Sequence, residues 1–247
     1  MMLTMNSELS KLLTRLNAPV GVQPATREHI AELKRKSEAA AYKDHIARKT
    51  KRLMDLTGLN THFLSCHFDN YICERKDQFE AVEKAKRYCE KFTEYSAVAK
   101  GFLFSGTSGT GKNHLASAMV NDLVAKNHFV VLLSVMDLLA KVRQSYKEPS
   151  ISEDKLINDF LRPDLLIIDE LGLQRGSVDE VLWLTRIIDK RLYAKKPTSF
   201  ITNLKKSELQ ELLGERAYGR VLESVGVGVL FSWPSYRGKR VGGSNEQ

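Results

Sequence analysis

The chain has 247 residues, 43% of them hydrophobic, enough to bury one full core and a smaller appendage. Its formal charge of +8 favours a polyanionic partner such as nucleic acid without demanding one. No apolar run reaches the roughly 18 residues of a membrane span. The opening MMLTMNSELS lacks the basic start and apolar stretch of a secretory leader, and the three cysteines, Cys66, Cys73 and Cys89, are too few and irregular for a disulfide framework, so a cytoplasmic protein is expected.

Along the chain, SELSKLLTRL (7–16) sets Leu9, Leu12, Leu13 and Leu16 at helical spacing behind a serine cap, and Asn17-Ala18-Pro19 ends the pattern. A second helical pattern runs from Thr26 to about Leu56, rich in Ala, Lys, Arg and Glu and poor in large apolar residues. Residues 1–57 hold 11 Lys/Arg against 6 Asp/Glu, a net of +5, and Gly58 closes this arm. It reads either as a solvated helical extension or as a docking arm whose leucine face needs a groove on another protein. HFLSCHF brings His62, Cys66 and His67 close together, but no second ligand pair follows, so it is read as a loop entering the core rather than a zinc site. Further on, Phe79, Val82, Ala85, Tyr88 and Phe92 share one helical side.

From Gly101 strand and helix alternate: strand 102–104, helix from Lys112, strand 129–133, helix 135–146, helix 152–161, strand 165–169, helix 178–194, strand 199–202, short helices to Leu222, and strand 227–231. Nearly continuous apolar strands between helices predict an α/β fold with a parallel sheet covered on both faces. Three units are expected: an N-terminal helical domain over 1–57, a linker and helix over 58–100, and the α/β domain over 101–247.

The chemistry concentrates in FLFSGTSGTGKNHLASAMV. Gly106, Thr107, Ser108, Gly109, Thr110, Gly111, Lys112 and Asn113 fill the G-x-x-x-x-G-K-[ST] frame except at its last place. Glycines let backbone N–H groups wrap a phosphate, the following helix adds its positive end, and Lys112 reaches the outer phosphates. DLLIIDELG then ends a buried strand in Asp169, which can hold Mg²⁺, and Glu170, which can orient and deprotonate water. Asn113 stands where a Ser or Thr hydroxyl normally binds magnesium. Its carboxamide oxygen is a hard ligand but projects further, so slow hydrolysis awaiting completion of the site is expected. The strand SFITN ends beside the acids, where Asn203 can place water. Arg216 and Arg220 lie four apart on one helical face, either as surface arginines bridging Glu215 or Glu223 or as a finger into a neighbouring subunit's site.

Taken together, FSGTSGTGKNHLA, LLIIDELG, TN, LLGER with the following arginine, and SYR resemble the AAA+ ATPases, and more narrowly the bacterial replicative helicase loaders of the DnaC type. The likeness covers roughly residues 63–240, and the Lys-Asn-His of Lys112, Asn113 and His114 is itself a feature of those loaders. The resemblance implies an ATP- and Mg²⁺-using P-loop domain, with His114 in the nucleotide loop. It further implies Asn203 as first sensor, Arg220 as arginine finger, Arg216 as its companion, and Arg237 as similar to the second sensor, with no room for a full C-terminal lid domain. It also implies a hexameric helicase as partner of the arm, and self-assembly into a spiral. The helix carrying Lys141, Arg143, Tyr146 and Lys147 then reads as a single-stranded DNA contact, cations tracking phosphates and Tyr146 stacking on a base, against a solvated basic helix. The function expected is ATP-dependent loading of a replicative helicase. The alternatives are an AAA+ helper of a transposase and a non-hydrolysing nucleotide-gated adaptor.

Overall fold

The computed structural model describes residues 26–56, 63, 65–148 and 152–237. The leucine face of Leu9, Leu12, Leu13 and Leu16 lies outside the described residues. The chain divides into two compact units, Met1–Tyr42 and Lys43–Gln247. Helix α1, Arg27–Leu56, begins in the first unit. Every described side chain from Glu28 to Tyr42 is exposed, as a helix so poor in large apolar residues should be.

In the second unit, α2 (Lys76–Glu90) and α3 (Phe92–Ala97) precede β1 (Gly101–Gly106). There follow α4 (Lys112–Ala125), β2 (Val130–Ser134), α5 (Val135–Lys147), α6 (Glu153–Leu161) and β3 (Leu165–Asp169). The unit closes with α7 (Val178–Tyr193), β4 (Thr198–Thr202), α8 (Lys206–Ser224) and β5 (Val225–Phe231). Serines begin three of these helices: Ser134, Ser152 and Ser177 accept the N–H of Asp137, Lys155 and Glu180, satisfying donors that helix geometry leaves open. Gly214, at φ 73° and ψ 165°, breaks α8 into the two shorter helices its sequence suggests.

All five strands pair in parallel, in the order β2-β3-β4-β1-β5. Cover on both faces explains why β3 is apolar up to its final Asp169 and why even Thr198, Ser199 and Thr202 of β4 are buried, whereas the edge strand β5 alternates. In β3, Leu166 and Ile168 join the core beneath α5 to α8, while Leu165 and Ile167 join the core beneath α2 to α4. Parallel pairing also brings the C-terminal ends of the strands together, with Ser134 opposite Asp169 and Ser105 opposite Thr202, and these ends form one edge on which a site can be assembled.

One expectation is corrected. Phe79 is 57% exposed, and the buried side of α2 is instead Gln78, Ala81, Val82, Ala85, Tyr88 and Cys89. Gln78 turns inward because its carboxamide oxygen accepts the N–H groups of Glu74 and Arg75 while its nitrogen donates to the Tyr236 hydroxyl. The reading of HFLSCHF as a loop entering the core holds at Cys66, which is buried beside Asn121 of α4, whose amide donates to the carbonyls of Phe63 and Cys66. Among the described residues no helix is long and apolar enough to cross a membrane.

Candidate nucleotide site

The loop between β1 and α4 is held from within by Lys112, whose ammonium donates to the carbonyls of Gly106 and Thr107, both at 2.7 Å. Thr110 Oγ1 donates to the Thr107 carbonyl at 2.8 Å. Gly111 has φ +93°, and a Cβ there would sit 2.8 Å from the Tyr71 hydroxyl, so both conformation and space require glycine. Lys112 itself is 5% exposed. Burial, aided by the charge of Arg237, lowers its pKa, and Asp169 opposes the shift.

Opposite the loop, β3 ends in Asp169, also 5% exposed. Its two oxygens accept from the Glu170 N–H and from Asn113 Nδ2, each at 2.6 Å. Burial, reinforced by the charge of Glu170, raises the Asp169 pKa to about 6, against the pull of those two hydrogen bonds and of Lys112. Glu170 holds φ +56°, a left-handed conformation uncommon for a residue with a side chain, which turns the chain sharply at the strand end. The Thr202 hydroxyl is engaged with the Leu171 carbonyl and the Leu204 N–H, leaving Asn203 as the exposed polar residue of β4's end.

These groups converge. A cleft of about 240 Å³ is lined by Ser108, Lys112, Asn113, Asp169, Glu170 and Asn203, among others. Beside it lies a cavity of about 680 Å³, walled by Tyr71, Ile72, Glu74 and Tyr236. Gly109, Gly111, His114 and Arg237 line both, so the two are adjoining chambers. The smaller chamber has the donors and acids of a phosphate site, and the larger has aromatic walls suited to a base. His114 tethers the cavity wall, its Nε2 lying 2.9 Å from Asn70 Oδ1 and its ring edge-on to Tyr71 at 5.3 Å.

The segment after β5 completes the enclosure. Trp233 Nε1 donates to the Thr110 carbonyl at 2.8 Å, Tyr236 N–H to the Gly109 carbonyl at 2.8 Å, and Arg237 Nη1 to Ser108 Oγ at 3.2 Å. Arg237 thus reaches the loop directly from the segment that follows β5. Tyr71, Ile72 and Trp233 escape the sequence reading, and Tyr236 enters it only within the SYR motif. The only signal is aromatic residues in the polar stretches FDNYI and WPSYR, which tertiary contact alone brings together.

The donor set fits magnesium sparingly. Among the described residues no cluster of three His, Cys, Asp or Glu could hold a metal, but one carboxylate with substrate phosphates is how magnesium is commonly held. Asp169 can supply that carboxylate. Asn113 presents its amide nitrogen to Asp169, so it orients the carboxylate, and it becomes a metal ligand only by turning its oxygen to the ion.

The other candidate residues lie elsewhere. Arg216 and Arg220 of α8 line neither chamber within the chain. Arg220 lies against Asp189 and Glu223, so the bridge to Glu223 that the sequence allows is present. On α5, Lys141 is half-buried and Lys147 exposed. Arg143 pairs with Glu180 at 3.4 Å, while the Tyr146 hydroxyl receives the Trp183 indole N–H and donates to Asp179. Two of the four groups expected to face a DNA strand, Arg143 and Tyr146, therefore already have partners inside the chain.

Comparison with known proteins identifies the family. The sequence model of the family described as "IstB-like ATP binding protein" matches residues 27–222. The replicative helicase loader DnaC of Escherichia coli (strain K12) is 36% identical over 204 residues, covering 83% of this chain and 82% of that protein. The replicative helicase loader DnaC of Buchnera aphidicola subsp. Schizaphis graminum (strain Sg) is 34% identical over 242 residues, covering 95% and 97%. A crystal structure of the DnaC helicase loader superposes with a TM-score of 0.62 at 22% identity, covering 69% of this chain and 99% of that one, and supports the fold. With that family model matching residues 27–222 and these relatives 34–36% identical over most of the chain, the chain belongs to the IstB-like ATP-binding family and, within it, to the DnaC-type replicative helicase loaders.

Proposed function

We propose that the chain is an ATP-hydrolysing loader that binds a hexameric replicative helicase and helps place it on single-stranded DNA. The observation that carries this reading is the convergence of Lys112, Asp169, Glu170 and Asn203 on one cleft beneath a glycine-rich loop, in a chain 36% identical to a replicative helicase loader. Lys112 exchanges its loop carbonyls for the outer phosphates, and the backbone N–H groups of Ser108 to Gly111 take the inner ones. Asp169, steadied by Asn113, holds magnesium, which neutralises phosphate charge when bound. Glu170 takes the proton of the attacking water and Asn203 places that water. Arg237 contacts phosphate within the same chain, and Arg220, with Arg216, does so from a neighbouring copy in a spiral. The large chamber takes the adenine base.

In this reading residues 1–57 dock on the helicase through Leu9, Leu12, Leu13 and Leu16, residues 58–100 link that arm to the motor and supply α2 to its core and Tyr71 to its cavity wall, and residues 101–247 form the rest of the motor. Lys141, Arg143, Tyr146 and Lys147 face the DNA strand, Arg143 and Tyr146 by giving up Glu180 and Asp179. The test is steady-state ATP hydrolysis with a replicative helicase and single-stranded DNA, separately and together, with Glu170→Gln as control. Turnover that rises with both partners and vanishes in Glu170→Gln is expected, with ATP affinity kept. Tight ATP binding without turnover under any condition would replace the motor with a nucleotide-gated clamp.

A further inference from the structure

Arg220 is held by acids of its own chain. Its Nε lies 2.7 Å from Asp189 Oδ1 on α7, and its Nη1 donates to Glu223 Oε2, one turn further along α8, at 2.6 Å. The pair with Asp189 bridges two helices, and at 34% and 20% side-chain exposure it is only partly open to solvent, so salt screens it less than a surface pair. Asp189 Oδ1 is itself buried and makes no well-aligned hydrogen bond, so Arg220 is the charge that answers it. One turn earlier, Arg216 is exposed, and among the described residues no acid pairs with it.

The surroundings suit a second copy of this chain. Arg216 lines a groove of about 640 Å³ between α7 and α8. Val178, Leu182 and Tyr193 stand along it, 87%, 61% and 82% exposed, a concentration of large apolar side chains that a soluble protein seldom leaves uncovered. Beside this apolar surface are the unpaired guanidinium of Arg216 and the restrained ones of Arg220 and of Arg186, which pairs with Glu153, and the complementary charge is the phosphate of a nucleotide in a neighbour's cleft. A guanidinium whose Nε and Nη1 are held by two carboxylates has only Nη2 left to offer, so a two-pronged contact with that phosphate requires it to leave them.

We propose that Asp189 is a positioning residue for Arg220, a latch that, with Glu223, holds the guanidinium against its own chain until a neighbouring copy's nucleotide competes for it. This rests on the reading of Arg220 as acting across an interface between copies. Arg216 makes the first contact and Arg220 follows, so the latch sets the protein concentration at which copies assemble and hydrolyse ATP.

The test compares the full chain with Asp189→Asn, Glu223→Gln, Arg220→Ala and the Asp189→Asn/Arg220→Ala double variant. ATP hydrolysis and sedimentation are followed against protein concentration, with helicase, single-stranded DNA and ATP present. Asp189→Asn should lower the midpoint of both curves by about three- to fivefold, the strength of one partly exposed ion pair. The same change in the Arg220→Ala background should move nothing, which a merely structural role for Asp189 would not predict. If Arg220→Ala leaves both curves as in the parent, the interface reading and the latch fall together. If it impairs both while Asp189→Asn keeps the parental midpoint, the latch alone is overturned. A shift of equal size in both backgrounds also overturns it. Should Asp189→Asn not fold, Glu223→Gln, on a side chain 53% exposed, gives the same comparison.

Discussion

Asp169 places a charge where folding would rather have none. Burial lifts its carboxyl from an ordinary value of 3.8 to about 6. The difference corresponds to about 3 kcal/mol of native-state stability lost once the group is ionised. The direction follows from proton binding. Below about pH 4 the group is protonated folded or unfolded and contributes nothing; between 3.8 and about 6 the native state retains the proton more tightly, so stability falls as pH rises; above that the full penalty applies. The open cleft admits water, which trims the figure to about 2 kcal/mol. Asp169→Asn keeps an oxygen for the Glu170 N–H, and its amide faces Asn113 once that residue turns its oxygen inward. Thermal unfolding followed by circular dichroism, with chelator and no nucleotide, should therefore show the variant melting roughly 4–8 °C above the parent at about pH 7.5. The two should coincide near pH 4. Magnesium with ATP should raise the parent's midpoint by more than the variant's, because the variant keeps the loop and Lys112 but has lost the metal's carboxylate. A variant no more stable than the parent at neutral pH would refute the account of Asp169 as a carboxylate held ionised for a metal at the expense of stability.

Two further outcomes follow from the geometry. Gly111→Ala forces a side chain into a left-handed conformation at φ +93°, against the Tyr71 hydroxyl, and should cost about 1–3 kcal/mol; titration with a fluorescent ATP analogue should show affinity lowered at least as much as by removing the Lys112 charge. Arg191 is fully buried, its pKa pushed down to about 9 by burial, and it donates to the carbonyls of Phe160, Pro163 and Pro197 and to the Thr198 hydroxyl. Arg191→Met leaves those acceptors unmet and should lower the urea-unfolding free energy by about 3–5 kcal/mol, with no change in ATP affinity if the protein is held below its unfolding transition.

Much of this protein is legible locally. Each strand announces itself by an apolar run, and each of three helices by a serine that supplies the missing acceptor at its start. The glycine-lysine loop and the acid-ended strand are chemistry set by adjacent residues, and alternating strand and helix forces the parallel pairing that puts both at one sheet edge. The motifs that resemble the helicase loaders lie in these contiguous stretches.

What local pattern cannot supply is contact between residues far apart in the chain. Tyr71 and Trp233 both reach the Thr110 carbonyl from opposite ends of the domain, and no periodicity encodes that meeting. Phe79 has the spacing of a core residue, yet the capping bonds of Gln78 rotate the helix start and leave it outside. Asn113 reads as a departure from a metal-binding hydroxyl, and only the folded chain turns its nitrogen to Asp169, 56 positions away. The arginines make the same point: their spacing along α8 is written in the sequence, but which of them is clamped depends on α7 delivering Asp189 to Arg220 and no acid to Arg216. Backbone propensity and apolar periodicity act within a few residues and so determine the elements, whereas pairing, burial and charge compensation act through space and are decided only when the layers pack.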